Sequence, residues 1–331
     1  MVVDARAIVV REYGSPDVLS FERVDLPEVE PDEVRIRVLG AAVNHSDLEI
    51  RAGSWPIRRD PPFPYVPGLE AVGEVVAIGA EVESVAVGAN VVTMMQGLGG
   101  VRAERDGGYA DYVTVAADAV APLPADIDPL AVAALGLAAV TACEGLRRLG
   151  PVAGMRVVVT GASGGVGSAG IALAVALDAA EVVGIVSRPE RVEYVRSLGA
   201  DGAVVAGDDV GVALGRGRVD RVLDTVGGPL FRPCVESLRA GGGLATVGWV
   251  GGADVEFDVV ALLRPVTLTG YGSESLDGPA LRAAITTISA LLKTGKLAVP
   301  GVTQLPLAEA ARAHRLLEEH RVTGRVLLVP S

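Results

Sequence analysis

Residues 157–177 read VVVTGASGGVGSAGIALAVAL. Three valines lead into a turn of small residues, and an apolar run long enough for a three-turn helix follows. A continuous branched apolar run describes a strand buried on both faces, as in parallel sheets covered by helices. In the turn, Ala162, Gly164 and Gly167 hold the three positions of G-x-G-x-x-G, with alanine at the first. Small residues there allow a tight turn, close approach of a diphosphate to backbone N–H groups, and close packing of helix on strand. The helix start adds a positive dipole end. Ser163, Gly164, Gly165, Val166 and Gly167 are therefore candidate diphosphate-binding residues.

From this turn outward, strands are expected at 156–160, 181–186, 202–205, 220–226, 243–248 and 266–271, separated by amphipathic stretches. Six such strands make a dinucleotide-binding α/β sheet. Residues 1–120 differ: short alternating runs such as 34–43 and 71–80, broken by Pro/Gly turns, predict an antiparallel barrel-like β region. One long apolar helix is expected over 130–149. The tail offers helices near 279–294 and 307–319 and a closing strand at 324–329.

The same turn permits a rival reading. Gly161-Ala-Ser163-Gly-Gly165 is a literal G-x-S-x-G, and Asp224 and His314 follow in the order of an α/β-hydrolase triad with Ser163 as nucleophile. An elbow of that kind gives no role to Gly167 or to a separate β region of 120 residues, so the dinucleotide reading is preferred. A nucleotide-binding protein without catalysis is the third possibility.

About 20 residues past the glycines, an NAD site places an acid at the strand end to hold the ribose 2′-hydroxyl. Here the residues are Ser187, Arg188, Pro189, Glu190 and Arg191. Two arginines three apart in a first helical turn oppose the helix dipole unless a phosphate lies between them, so NADPH is the expected cofactor. The alternative is an ordinary solvated helix start with Ser187 as N-cap.

Composition narrows the partners. With 331 residues, two domains are expected; a net charge of −12 argues against nucleic acid or an anionic membrane. Cys143 and Cys234 form no CxxC pair, the start MVVDARAIVVREYG lacks a signal-peptide pattern, and the most apolar run, 130–143, falls short of a span. A soluble cytoplasmic protein acting on a small molecule is expected.

In order along the chain, VNHSD (43–47), PGLEAVGEV (67–75), GGYADYV (107–113), VTACEGL (140–146), ASGGVG (162–167), SLGAD (197–201), LDTVGG (223–228) and TGRVLLVP (323–330) resemble a medium-chain dehydrogenase/reductase of the zinc-free quinone oxidoreductase or enoyl reductase type. The resemblance covers essentially the whole chain. It implies a Rossmann-type six-stranded parallel sheet domain, 121–265, inserted in a β-rich GroES-like catalytic domain made of 1–120 and 266–331. It also implies a homodimer, formed through the strand around 266–271.

Zinc-dependent members of that superfamily carry a cysteine near the VNHSD aspartate and a histidine after the PG turn; the matching positions here are Asn44 and Leu69. The 95–108 loop, which holds four structural cysteines in those relatives, contains none. Both metal sites need several converging N or S ligands, so no metal is expected. His45 alone is a packing or hydrogen-bonding residue, and neighbouring His45, Ser46 and Asp47 point apart and cannot form a triad.

By resemblance, Asn44 reaches the nicotinamide ribose or amide and Asp47 braces its turn. Thr141 lies near the phosphates, Asp224, Thr225, Val226 and Gly248 run along the nicotinamide, and Trp249 walls the pocket. Arg325 joins the cofactor-binding set, while Tyr65 and Tyr271 are candidate proton donors or substrate clamps. Without a metal to polarise a ketone, the easier chemistry is hydride addition to a quinone or an α,β-unsaturated carbonyl, whose conjugation spreads the developing charge. Glu49 stands where such quinone reductases carry a tyrosine, so an enone or enoyl thioester stands beside quinone as substrate. Ala206 and Gly207 likewise replace a tyrosine that some relatives set against the 2′-phosphate.

Overall fold

The structure is a computed structural model that describes residues 5–56, 63–100, 104–207 and 209–330. The chain forms two compact units: Met1–Leu137 with Leu276–Ser289 and Gly301–Ser331, and Ala138–Ser275 with Ala290–Pro300. These boundaries differ from the expected 120/121 and 265/266. Val120–Pro122 pairs with Asn90–Met94 in the β-rich sheet, which carries the first unit past 121. Thr267–Gly270 pairs in parallel with Leu238–Thr246, so it belongs to the second unit's sheet. Residues 290–300 also join the second unit, where Lys296 Nζ lies 3.1 Å from the Asp178 carboxylate.

The second unit is built on a six-stranded sheet in the spatial order Gly202–Val205, Glu181–Val186, Arg156–Val159, Val219–Asp224, Leu238–Thr246 and Thr267–Gly270. Every adjacent pair is parallel. In sequence order this is 3-2-1-4-5-6, the doubly wound arrangement that places a ligand beyond the strand ends where the order reverses. Val157, Val158, Val159, Val222, Leu223, Leu244 and Ala245 are fully buried, which is why these strands read as unbroken apolar runs. The fifth strand begins five residues earlier than the expected 243. Its first five residues, LRAGG, lie outside the expected strand, but they continue the ladder across a register shift opposite Val219 and Arg221.

In the first unit, a seven-stranded sheet runs Val302–Pro306, Arg325–Val329, Glu33–Ala42, Glu70–Ile78, Asn90–Met94 and Val120–Pro122, with Tyr112–Ala116 also on Glu33–Ala42. Pairing is antiparallel except between Val302–Pro306 and Arg325–Val329. Along Glu33–Ala42 the residues Val34, Ile36 and Val38 are buried and alternate with more exposed ones, giving the period-2 signal seen in the sequence. The tail strand Arg325–Val329 lies against Ala41 and Ala42, and Val43 N donates to Val326 O at 3.0 Å. That ladder brings Arg325 to Asn44.

The apolar helix Pro129–Arg148 is interrupted at Gly136, whose φ of 48° and ψ of −151° are not helical. The helix extends past the apolar run 130–143, and its 18-residue apolar window, with a mean hydropathy of 1.7, is long and apolar enough to cross a membrane; 78% of that window is buried inside the protein. The cause of its break lies in the candidate site.

Candidate active site

The strand Arg156–Val159 runs into Gly161 at φ 58°, and the helix Gly165–Ala176 starts behind Gly164, whose N–H closes the turn on Gly161 O at 2.9 Å. Gly164 caps the helix with no side chain, so the amides of Gly165, Val166 and Gly167 begin it without intrahelical acceptors. Gly164 is exposed, and Ser163, Gly165 and Val166 are half-buried, which leaves this end open to a diphosphate. Gly167 has a different task. A Cβ there would lie 2.1 Å from Gly161 O, so only glycine lets helix and turn pack at this separation. Ala162 is fully buried, and its N–H donates to Ile185 O at 2.9 Å, which suits alanine at the first motif position.

Beside the turn, the fully buried Asp224 carboxylate ties strand ends together. Its Oδ1 accepts from Thr160 Oγ1 at 2.7 Å, and the amides of Val226 and Gly227 donate to it at 3.1 Å each. Thr225 N donates to Thr160 Oγ1 at 2.8 Å. Asp224 thus shapes the loop 225–227 from below, while Thr225 and Val226 are the half-buried residues it presents. The hydrolase reading loses its parts here: Asp224 is engaged with Thr160 and amides, and both His314 ring nitrogens face Arg51 and Tyr109.

Past the second strand, the helical segment begins one residue later than Ser187 as N-cap requires. Arg188 is the cap residue, in extended conformation, followed by a 3-10 turn Pro189–Arg191 and the helix Val192–Ser197. Pro189 explains the shift, since the residue before proline avoids helical angles. Arg188 and Arg191 therefore flank a tight turn instead of sharing a helix face, with Ser187 and Arg188 exposed and Arg191 half-buried. Thr141 is buried, Gly248 is half-buried and Trp249 exposed.

In the first unit, Asn44 stands at the start of the helix His45–Ala52, where Asn44 N donates to Asp47 Oδ2 at 2.8 Å. Its side chain, however, is turned inward. Nδ2 donates to Glu70 Oε1 at 2.8 Å, and Oδ1 accepts from Arg325 Nη1 at 3.1 Å. Arg325 Nη2 also donates to Glu70 Oε1, at 2.9 Å, and Leu137 N donates to Glu70 Oε2 at 2.8 Å. The expected roles of Asn44 and Arg325 are thereby narrowed: both are buried and held on Glu70, and only Arg325 Nε lacks a partner. Burial pushes the Glu70 carboxyl above its ordinary value, against the pull of Arg325, Asn44 and the Leu137 amide.

Glu70 also breaks the apolar helix. A Cβ on Gly136 would sit 2.1 Å from Glu70 Oε2, and the positive φ of Gly136 turns the next amide toward that oxygen. A carboxylate from the strand Glu70–Ile78 thus receives a backbone donor that an unbroken helix would have used internally.

A row of buried polar groups runs behind Asn44. Leu69 N donates to Asp47 Oδ1 at 3.2 Å, and the Tyr109 hydroxyl interacts with the Asp47 carboxylate, drawing its pKa down against burial. Tyr109 Oη lies 3.3 Å from His314 Nε2, and His314 Nδ1 lies 3.3 Å from Arg51 Nη1. Burial pushes Asp47 up to about 7; burial and then the Arg51 charge push His314 down to about 3. These shifts have opposite linkage. An acid raised in the folded state gives stability that is complete below its unfolded pKa of 3.8 and is lost as pH rises through about 7. A histidine lowered from 6.5 gives stability that is complete above 6.5 and is lost as pH falls toward about 3. His314→Gln removes the second slope alone. The stability gap between parent and variant should then shrink as pH falls from 6.5 to 4.5, by up to about 1.4 kcal/mol per pH unit, in urea denaturation at the two pH values.

Tyr65 and Tyr271 are both buried, with hydroxyls that lack a partner. Burial holds each phenol above its ordinary value, so both keep their protons. Arg148 sits over the Tyr271 ring, 5.3 Å from its centroid. Glu49 does not stand alone: its carboxylate lies 3.2 Å from His45 Nε2 across one helical turn.

The family described as the alcohol dehydrogenase GroES-like domain matches residues 30–125, and the family described as zinc-binding dehydrogenase matches 198–328. An NADPH-dependent alkenal/one oxidoreductase of Arabidopsis thaliana is 31% identical over 99% of this chain and 80% of its own length. A quinone oxidoreductase of Lama guanicoe is 30% identical over 98% of this chain and 97% of its own. The chain belongs to the medium-chain dehydrogenase/reductase superfamily. A mycobacterial member of known structure, solved with NADPH, superposes with a TM-score of 0.83 at 29% identity over 98% of this chain and 100% of that one.

Not every medium-chain dehydrogenase/reductase feature implied by those family names fits. Leu69 has no ligating atom, Asn44 is held on Glu70 and Arg325, and no group of three or more His, Cys, Asp or Glu converges among the described residues. These residues do not fit a zinc ion. The glycine turn does fit a dinucleotide: open amides at a helix start and a Gly167 contact that no larger residue allows. Sequence reasoning missed Glu70, Tyr109, Arg51 and His314 as parts of this unit. An acid in the apolar run GLEAVGEVV was the available signal for Glu70.

Proposed function

We propose that this protein is an NADPH-dependent reductase that delivers hydride to an α,β-unsaturated carbonyl or a quinone and works without zinc. The observation that carries the reading is the Asn44–Glu70–Arg325 cluster: Asn44, which stands where zinc-dependent relatives carry a ligating cysteine, has its side-chain amide engaged by Glu70 and Arg325. An acceptor that spreads its own negative charge is the substrate such a site can reduce. NADPH, when bound, supplies the hydride. The amides of Gly165, Val166 and Gly167 hold its diphosphate, and Arg188 and Arg191 its 2′-phosphate. Asn44 orients the nicotinamide. Tyr65 or Tyr271, each with a protonated and unpartnered hydroxyl, donates a hydrogen bond to the substrate carbonyl. The named activities of the relatives support this reading.

The direct test follows NADPH absorbance during incubation with a panel of enones and quinones, before and after chelation. Turnover should survive chelation; one equivalent of zinc in purified active protein would overturn the metal-free part. Cofactor choice has its own check. Arg188→Ser with Arg191→Ala should raise the KM for NADPH about tenfold to a hundredfold and leave the KM for NADH within about twofold, because charge-assisted contacts to one phosphate are lost. Equal effects on both coenzymes would remove the arginines from this role.

A homodimer is part of the proposal. Thr267–Gly270 is an edge strand, and Val259, Val260, Leu262 and Leu263 just before it are exposed. A second copy pairing there would cover both. Cytoplasmic location fits Cys143 and Cys234, which are free thiols.

A further inference from the structure

We infer that His314 is a positioning residue of the reduction, acting through Tyr109 and Asp47 on the backbone of Asn44 and Leu69. The inference rests on the reading above that the protein reduces an acceptor with NADPH and that Asn44 stands at the nicotinamide.

His314 is fully buried in the tail helix Ala310–Glu318, far along the chain from every residue it serves. Its direction of hydrogen bonding is not free. Arg51 carries donors only, and it is itself held by Gly14 O at 3.0 Å and Glu318 Oε1 at 2.6 Å. Nδ1 of His314 must therefore accept from Arg51, and the neutral ring carries its hydrogen on Nε2. That hydrogen meets Tyr109 Oη, whose own hydrogen is left for Asp47. At the far end Asp47 also accepts from Asn44 N and Leu69 N. Every donor in the row points the same way, from Arg51 to Asp47, and reversing any link would set two donors face to face.

The far end is what gives the row a catalytic consequence. Asp47 joins two separate segments, the helix start with Asn44 and the turn with Leu69 and Glu70. The Asn44 side chain takes its orientation from Glu70 and Arg325, but the place of its backbone depends on Asp47. A buried carboxylate that loses one of its donors rearranges to regain it. A shift of about 1 Å in a positioning group can lower turnover by about a hundredfold. A purely structural row would instead lower stability and leave the folded molecule's turnover unchanged.

The test compares His314→Gln, His314→Asn and Tyr109→Phe in the full chain. The glutamine amide reaches the place of Nε2 and can donate to Tyr109; the asparagine amide stays near Nδ1 and cannot. Per folded molecule, kcat with an enone should fall about tenfold to a hundredfold in His314→Asn and Tyr109→Phe, with the Kd for NADPH unchanged. His314→Gln should recover to within about threefold of the parent, and the Asn/Phe double variant should be no worse than either single, since both cut one row. Unchanged kcat per folded molecule in Tyr109→Phe, or losses that multiply in the double variant, would overturn the inference. A parent protein that fails to oxidise NADPH in the presence of every enone and quinone tried overturns the functional reading itself, and this is seen before any variant is compared.

Discussion

Gly167→Ala should weaken NADPH binding by about a hundredfold or more and destabilise the fold by about 3 kcal/mol. The added methyl would lie 2.1 Å from Gly161 O, 2.6 Å from Gly161 C and 2.8 Å from Ala162 Cα. All three are backbone atoms, so no side chain can rotate out of the way. Either the helix Gly165–Ala176 moves off its strand or the turn opens. Both outcomes displace the amides of Gly165 and Val166 from where they meet a diphosphate. Each such charge-assisted hydrogen bond contributes about 1.5–3 kcal/mol, so losing good geometry in one or two accounts for the expected factor. Gly164→Ala serves as the stability control: φ there is −83°, and its Cβ would meet Gly161 O only at 3.3 Å. Fluorescence titration with NADPH and urea denaturation read the two quantities separately. A Gly167→Ala variant that binds NADPH like the parent would remove the glycine turn from the cofactor site.

The same turn shows why much of the fold could be read from the letters. Strands such as Glu181–Val186 and Gly202–Val205 have the bounds expected of them, because a parallel strand between two helical layers leaves a short apolar run with little else in it. Reading failed where distant residues decide the local backbone. The helix Pro129–Arg148 is apolar on most sides, so its letters gave no reason for a break. The reason is Glu70, which lies 67 residues from Leu137 in sequence and takes its amide. Arg325 and Asn44 are 281 residues apart, and only the tail strand lying against Ala41 and Ala42 shows that they meet. Family resemblance could mark Asn44 and Arg325 as site residues; it could not show that their polar atoms face each other. The Leu238–Thr246 strand failed in another way, since a glycine run resembles a turn until a neighbouring strand supplies the ladder.

Glu70→Ala should destabilise the protein by about 3–5 kcal/mol, the usual range when one member of a buried ion pair is removed. Arg325 is 5% exposed and would keep its charge with only Asn44 Oδ1 opposite it. The Leu137 amide and Asn44 Nδ2 would lose their acceptor in the same step. Glu70→Gln should recover little of this loss. Donors from Asn44, Leu137 and Arg325 converge on the two oxygens, and an amide turns its NH2 toward at least one of them. Removing both charges is a different perturbation. Glu70→Leu with Arg325→Met leaves no buried charge, so the pair should be less destabilised than the sum of the two single changes, by about 2 kcal/mol in a double-mutant cycle. The Asn44 and Leu137 donors still lack an acceptor in the double variant, which is why the parent's stability should not return in full. Urea denaturation of the four proteins measures the coupling. Strict additivity would mean that Glu70 and Arg325 act independently, and the satisfied cluster on which the metal-free reading rests would then lose its energetic basis.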